Sequence, residues 1–255
     1  MLQRAQNQVF KDLEPQSVHS AALAETEQGL LCVAYAFSYE TAPDSRLVAS
    51  RWNGDHWSAS ETVIDYPGIG VGNPVLHVGA DGTIRLFFVV LDGGTWTKSR
   101  IVETRSIAGG RTWGPARTLF DQHGLMTKTR PIVFEDRLLL PIYDEVTWCS
   151  HVLVEEADEW ALYGDTTSRG RTLQPVLVTR EDGTLDMYSR GRDGYVYHAR
   201  SVNGFAWTAS QPTNIPNPNA GIDVVTLPDG RWAMFHNPSR HDRCEMAVAT
   251  SEDEG

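Results

Sequence analysis

PVLHVGADGTIRLFFVV (Pro74 to Val90), PVLVTREDGTLDMYS (Pro175 to Ser189) and DVVTLPDGRWAMFHN (Asp223 to Asn237) are three versions of one phrase. Each runs an apolar segment into Asp-Gly and out again into a second apolar segment. Alternation with period two around such a turn predicts strand, tight turn, strand. In Asp81-Gly82, Asp182-Gly183 and Asp229-Gly230 the glycine supplies the positive φ that the turn needs. No stretch carries the apolar periodicity of an amphipathic helix of convincing length.

Working outward from these hairpins, the chain divides into five related units. A polar or small residue opens each: His19, Asn73, Arg130, Gln174 and Gly221, at spacings of 54, 57, 44 and 47 residues. Spacings in this range mark a repeat architecture. Trp57, Trp113, Trp160 and Trp207 recur late in the units. Each unit has room for two further strands after its hairpin, and four antiparallel strands per repeat are the blade of a β-propeller. The expectation is an all-β chain with about five four-stranded blades, forming a single domain over residues 1–255.

Composition sets the functional bounds. A chain of 255 residues is long enough to bury roughly three quarters of its unfolded surface. Its formal charge of −11 argues against a nucleic-acid or anionic-membrane partner, both of which call for a positive surface. Cys32, Cys149 and Cys244 are odd in number and far apart, and the first two sit among apolar residues, so buried free thiols are expected rather than a disulfide frame. The N-terminal MLQRAQNQVFKDLEP has no apolar core of signal-peptide length, and no transmembrane run follows. As written the chain reads as cytoplasmic, or as exported with its signal removed. His236 and His241 fall into no metal-ligand spacing, and there is neither a glycine-rich phosphate loop nor a GxSxG elbow. No metal and no cofactor is expected.

The Trp-bearing segments carry a family resemblance. SIAGGRTW (Ser106 to Trp113), SVNGFAW (Ser201 to Trp207) and SEDEG (Ser251 to Gly255) resemble the Asp box, Ser-x-Asp-x-Gly-x-Thr-Trp, which marks the turn between third and fourth strands in sialidase-like blades. Ala108 and Asn203 replace the aspartate, while GDHW at Trp57 and ADEW at Trp160 keep little beyond the tryptophan. The stretch NPNAGIDVVTLPDGRWAMFHNPSR, with HSAAL, NPVL, KTRPI and QPVLV, is similar to the BNR-repeat branch of the sialidase (neuraminidase) superfamily from His19 onward. The resemblance implies a sialidase-like propeller of the six-bladed type with a carbohydrate site at its axis. It also implies that the boxes fasten turns on the face away from substrate.

Geometry selects the residues of the other face. Where a first strand begins, the antiparallel second strand ends. The openers His19, Asn73, Arg130 and Gln174, with Asp223 just behind Gly221, therefore share an end of their sheets with Tyr39, Glu40, Asp144, Arg190 and Asn237, and Asp44 and Arg192 follow in adjoining loops. This set suits an acidic sugar or glycan. Arg130 and Arg190 offer paired donors for a carboxylate. Asn73, Gln174, Asn237, Tyr39 and Asp44 offer contacts to hydroxyls. Glu40, Asp144 and Asp223 are candidate acids and bases, and glycoside hydrolysis usually needs two carboxyls.

The resemblance also exposes departures. Sialidases hold the substrate carboxylate with three arginines, attack with a tyrosine assisted by a glutamate, and use an aspartate as acid/base. The first arginine aligns with His19 and the tyrosine with Gly221 or Ile222, whereas Arg190 matches a family arginine. Two readings follow. One is a glycoside hydrolase without the usual tyrosine nucleophile, or a lyase, in which His19 transfers protons with Glu40, Asp144 or Asp223 and Tyr39 assists. The alternative is a non-catalytic carbohydrate-binding propeller. The fifth box breaks off at Gly255 before its Thr-Trp, which leaves two expectations: one C-terminal blade is lacking and the open sheet edges favour a homo-oligomer, or the ring closes with five blades.

Overall fold

A computed structural model describes residues 9–13, 17–157, 159–164 and 171–252. The fifth box passes beyond the described residues at Asp253. The chain divides into two compact units, one running to Met126 and one beginning at Thr127.

Unit 1 holds two antiparallel meander sheets. The first comprises β1 (Ser17–Thr26), β2 (Gly29–Phe37), β3 (Arg46–Arg51) and β4 (Glu61–Ile64), and the second β5 (Gly70–Val78), β6 (Ile84–Leu91), β7 (Ser99–Ser106) and β8 (Arg117–Thr118), each paired in chain order. β9 (Leu125–Thr127) spans the boundary between the units. Unit 2 continues with a sheet of β10 (Ile132–Phe134), β11 (Arg137–Asp144), β12 (Cys149–Glu156) and β13 (Glu159–Gly164). A four-stranded sheet follows, β14 (Thr172–Thr179), β15 (Leu185–Gly191), β16 (Tyr195–Ser201) and β17 (Gln211–Pro216), and then three described strands, β18 (Asp223–Thr226), β19 (Trp232–His236) and β20 (Ala247–Ser251).

The three opening phrases form the same hairpin. Gly82, Gly183 and Gly230 adopt φ of 78°, 79° and 87°. Each donates its N–H three residues back, to Gly79, Arg180 and Leu227. The aspartate before each glycine accepts the N–H of the residue after it, Thr83, Thr184 or Arg231. The Asp-Gly signal thus has a double cause: the glycine takes the left-handed conformation and the carboxylate ties the exit of the turn.

Simple alternation fails in the middle of the sheets. In the fourth sheet Leu177, Leu185 and Met187 pack with Leu139, Val152 and Val154 of the preceding sheet. Their sequence neighbours Val176, Val178 and Tyr188 pack the other way, with Val224, Trp232 and Met234 of the following sheet. A strand covered on both faces needs a continuous apolar run, which is what PVLV and its counterparts supply. In unit 1 the two sheets close on a common core that includes Val33, Tyr35, Leu47, Leu86 and Phe88. Cys32 and Cys149 are buried free thiols and Cys244 an exposed one. Burial pushes the Cys32 thiol up to about 12, which keeps it protonated and inert.

The two best-preserved boxes are turn fasteners. Ser106 Oγ accepts the N–H groups of Ala108 and Gly110, and Ser201 Oγ those of Asn203 and Gly204. Asn203 does what the missing aspartate would do, its Oδ1 accepting from Phe205 and Ala206 at 3.0 Å each. Trp160 is different: it lies within β13, opposite Glu155, because the β12 to β13 connection is too short to hold a box. No helix among the described residues is long and apolar enough to cross a membrane.

Candidate functional site

The first strands carry a repeated irregularity that aims side chains. Two residues of β1, β5 and β14 face one on the partner strand between His19 and Ala22, Gly72 and Val75, and Leu173 and Val176. The extra residue is left-handed in each case: Ser20 at φ 52°, Asn73 at 46° and Gln174 at 53°. In the second and fourth sheets a proline follows, Pro74 or Pro175, and the bulge tolerates it because no ladder bond is asked of its nitrogen. Ser20, rather than His19, is therefore the structural counterpart of Asn73 and Gln174, so the first sheet's phase moves by one residue. His19 instead occupies the position of Gly72 and Leu173.

In unit 2 the bulge sends Gln174 into a polar cluster. Gln174 Oε1 accepts Nη1 of Arg190 at 3.0 Å, and its Nε2 reaches Tyr143 Oη at 3.5 Å. Arg190 comes from the end of β15, paired with Leu173, and Tyr143 from the end of β11. A Cβ placed on Gly221 would lie 3.1 Å from Gln174 Oε1 and 3.7 Å from Cε of Lys128. Asn217 brackets the approach to Gly221, its amide donating to the carbonyl of Ala220 and accepting that residue's N–H. Arg130 closes another side: its Nη1 lies 3.1 Å and 3.3 Å from the two carboxylate oxygens of Asp223, and its Nη2 donates to the Val224 carbonyl at 2.8 Å.

Two cations of this cluster lack a direct anionic partner. Among the described residues Lys128 makes no hydrogen bond or ion pair, Arg190 makes no ion pair, and the Nε of Arg190 is buried without an acceptor. Burial pushes the Lys128 ammonium down, Asp223 opposes that, and Arg190 adds to it. Burial likewise pushes Arg190 down, against the pull of Tyr143 and Glu145. Glu145 follows β11, and burial pushes its carboxyl up, with Arg190 opposing and Asp144 reinforcing. The arrangement is a desolvated, cation-rich cluster with a carboxyl biased towards its neutral form.

The remaining sequence candidates sit as follows. Asp144 is buried, and its carboxylate accepts the N–H groups of Val146 and Thr147 and the Thr147 hydroxyl, so its oxygens are spent on the turn that presents Glu145. Asn237 donates to the Glu245 carbonyl and the Met246 sulfur. In unit 1, His19 Nδ1 lies 3.2 Å from both Tyr35 Oη and Glu40 Oε1, with the His19 and Glu40 side chains 61% and 55% exposed. Tyr39 is exposed, Asp44 accepts the N–H and hydroxyl of Ser38, and Asn73 is buried at its bulge. Arg192 stacks on Trp148, its guanidinium 4.4 Å from the ring centroid. The described residues contain no group of three or more His, Cys, Asp or Glu placed to hold a metal.

Sequence reasoning missed Lys128, Tyr143 and Glu145. Lys128 was signalled by KTRP, since residues two apart on an extended segment face the same way. Glu145 was masked by its acidic neighbour Asp144, which occupies the strand end itself.

Comparison with solved structures places this architecture. A Hadza microbial sialidase superposes with a TM-score of 0.80 at 17% identity, over 94% of this chain and 57% of that one. A protein of unknown function from Dyadobacter fermentans gives 0.80 at 16%, over 94% and 80%, and the NanB sialidase of Streptococcus pneumoniae (K499G mutant) gives 0.80 at 11%, over 96% and 60%. The class is therefore a sialidase-like β-propeller, and the chain spans somewhat under two thirds of the length of the two sialidases. The BNR repeat-like domain matches residues 28–255, and the chain belongs to that family. No curated protein matches it in sequence.

Proposed function

We propose that the protein is a carbohydrate-active member of the sialidase superfamily that binds an acidic sugar or glycan through its carboxylate in a recess lined by this cluster of unit 2. The observation that carries the reading is the pair Lys128 and Arg190, desolvated cations with no direct anionic partner among the described residues. Leaving a buried charge unpaired costs several kcal/mol, and an incoming carboxylate offsets that cost. Arg190 supplies planar paired donors and Lys128 a point charge. Gln174 and Tyr143 are placed to read hydroxyls.

Hydrolysis of a glycosidic bond needs a proton donor and a second carboxyl. Glu145, held towards its protonated form, is suited to the first role, and Asp223, paired with Arg130, to the second. Asp144 acts by holding the turn. The His19 and Glu40 pair of unit 1, both side chains exposed, is the other proton-transfer candidate and would serve a lyase as well. Attack by a tyrosine at residue 221 or 222 is not part of this mechanism: Gly221 lies against Gln174 and Lys128, and Ile222 is buried in the core.

The same glycine favours the alternative, a propeller that binds acidic sugars without turning them over. A panel of aryl sialosides and uronides, assayed beside calorimetry with the free acids, tests both. Turnover lost in Glu145→Gln, Asp223→Asn or His19→Ala supports the enzyme. Binding abolished by Arg190→Ala with no product from any substrate supports the binding module. Absence of both turnover and binding in a folded protein overturns the proposal.

A further inference from the structure

Unit 1 contains a cleft of about 500 Å³ whose lining includes Tyr39, Thr41, Ile69, Asp92, Gly93 and Gly94. It is an open cleft bordered by the loop after β2, the turn before β5 and the loop after β6. Starts of first strands and ends of second strands share one end of a sheet, so the cleft opens on the rim of unit 1 that carries His19 and Glu40. Its volume lies within the range of small-molecule sites, about 300 to 1,000 Å³.

The cleft is built rather than loose. Ala42 N–H donates to the Tyr39 carbonyl at 2.9 Å and Ser45 N–H to the Ala42 carbonyl at 3.1 Å, while Asp44 ties the loop back to Ser38. Thr41 is held at φ 68°, a conformation a threonine adopts only when its surroundings impose it. These bonds leave the Tyr39 side chain 61% exposed, with no ring contact among the described residues. Opposite charges cancel on the floor: Arg100 grips Asp92 through Nε and Nη2. Gly93 and Gly94 bring main chain to the lining, the Gly94 N–H donating to the Leu91 carbonyl at 3.2 Å and the Lys98 side chain lying beside Gly93.

We propose that this cleft is a subsite for a neutral pyranose ring, with the Tyr39 ring as its stacking face and Thr41 and the glycine backbone as hydroxyl partners. A flat aromatic with a polar tip, a cancelled charge pair and a glycine turn suit an uncharged polyhydroxylated ligand better than a lipid. The inference rests on the carbohydrate-active reading above but uses different residues from the unit 2 recess.

The test is saturation-transfer NMR and calorimetry on the full chain with methyl β-D-galactopyranoside, methyl β-D-glucopyranoside, N-acetylneuraminate and glucuronate. Binding of a neutral glycoside is expected to fall at least about tenfold in Tyr39→Ala, to persist in Tyr39→Phe and to be untouched in Arg190→Ala. Ile69→Ala, on another wall, is expected to weaken it as well, and the melting temperature of each variant establishes that it folds. No saturation transfer to either neutral glycoside, or equal affinity in Tyr39→Ala, overturns the proposal. If the acids bind and the neutral sugars do not, this subsite fails while the unit 2 recess stands. If the neutral sugars bind and the acids do not, the subsite stands and the recess fails.

Discussion

Arg190 gives its Nη1 hydrogen to the neutral Oε1 of Gln174 at 3.0 Å, where a half-buried guanidinium ordinarily finds a carboxylate. That choice keeps the charge of Arg190 available. Gln174→Glu is predicted to occupy it internally, weakening binding of N-acetylneuraminate or glucuronate at least about tenfold while raising the melting temperature. Calorimetry and thermal unfolding read the two effects together. Unchanged affinity in the variant would show that Arg190 does not meet the ligand.

Lys128 sets site against stability. Its ammonium is disfavoured by burial, so the unfolded chain holds that proton more firmly than the folded one. The folded state is penalised below the lowered pKa, and the penalty disappears as pH rises towards the ordinary lysine value of 10.5. Lys128→Met is predicted to stabilise the protein at neutral pH by about 1 to 3 kcal/mol and to abolish acid binding. A destabilised Lys128→Met variant would mean that the ammonium has a compensating partner.

Glu145 predicts a pH dependence. Its raised carboxyl is neutral below its shifted pKa and anionic above it, beside the Arg190 that an acidic ligand needs. Affinity for a carboxylate ligand should therefore fall as pH rises through the Glu145 titration. Glu145→Gln, fixed neutral, should hold its affinity across the same range. Parallel pH profiles for the two proteins would remove Glu145 from the site.

The legibility of these features in the sequence follows from how local their causes are. The Asp81-Gly82 hairpin and its two counterparts were readable because one dipeptide supplies both the φ and the hydrogen bond. Gln174 and Arg190 were reachable through strand ends, a rule of antiparallel geometry alone. The His19 phase was off by one because the bulge that moves it inserts a residue without changing composition. Glu145 is hidden in sequence behind Asp144, and Lys128, though two residues from Arg130 in KTRP, takes its importance from a burial that only the fold produces.

Asp186 anchors the fourth sheet from within. Its side chain is 1% exposed, with Arg180 Nη1 at 2.8 Å and Arg200 Nε and His198 Nε2 both at 2.9 Å. Burial pushes the carboxyl up, but His198, Arg200 and Arg180 outweigh it and hold it down at about 2, against 3.8 unperturbed. That difference corresponds to about 2 kcal/mol, present above pH 3.8 and lost as pH falls through about 2. Asp186→Asn is predicted to cost about 3 to 5 kcal/mol, since it leaves cationic groups around a neutral amide. Denaturant unfolding at neutral pH measures it, and a cost below about 1 kcal/mol would show that solvent reaches the cluster.

The degenerate boxes make opposite predictions on one chain. Asn203 Oδ1 accepts two backbone N–H groups that Ala108, at the corresponding place in the second sheet, cannot accept. Asn203→Ala strips both acceptors from the β16 to β17 turn and should destabilise by about 1 to 3 kcal/mol. Ala108→Asp should add about 0.5 to 1 kcal/mol by giving the β7 to β8 turn an acceptor for its N–H groups. Both turns lie outside the recess and the cleft, so ligand affinity should not move in either variant. Melting temperatures that shift in opposite directions at constant affinity would establish the boxes as turn fasteners; a change in affinity would tie them to the ligand site instead.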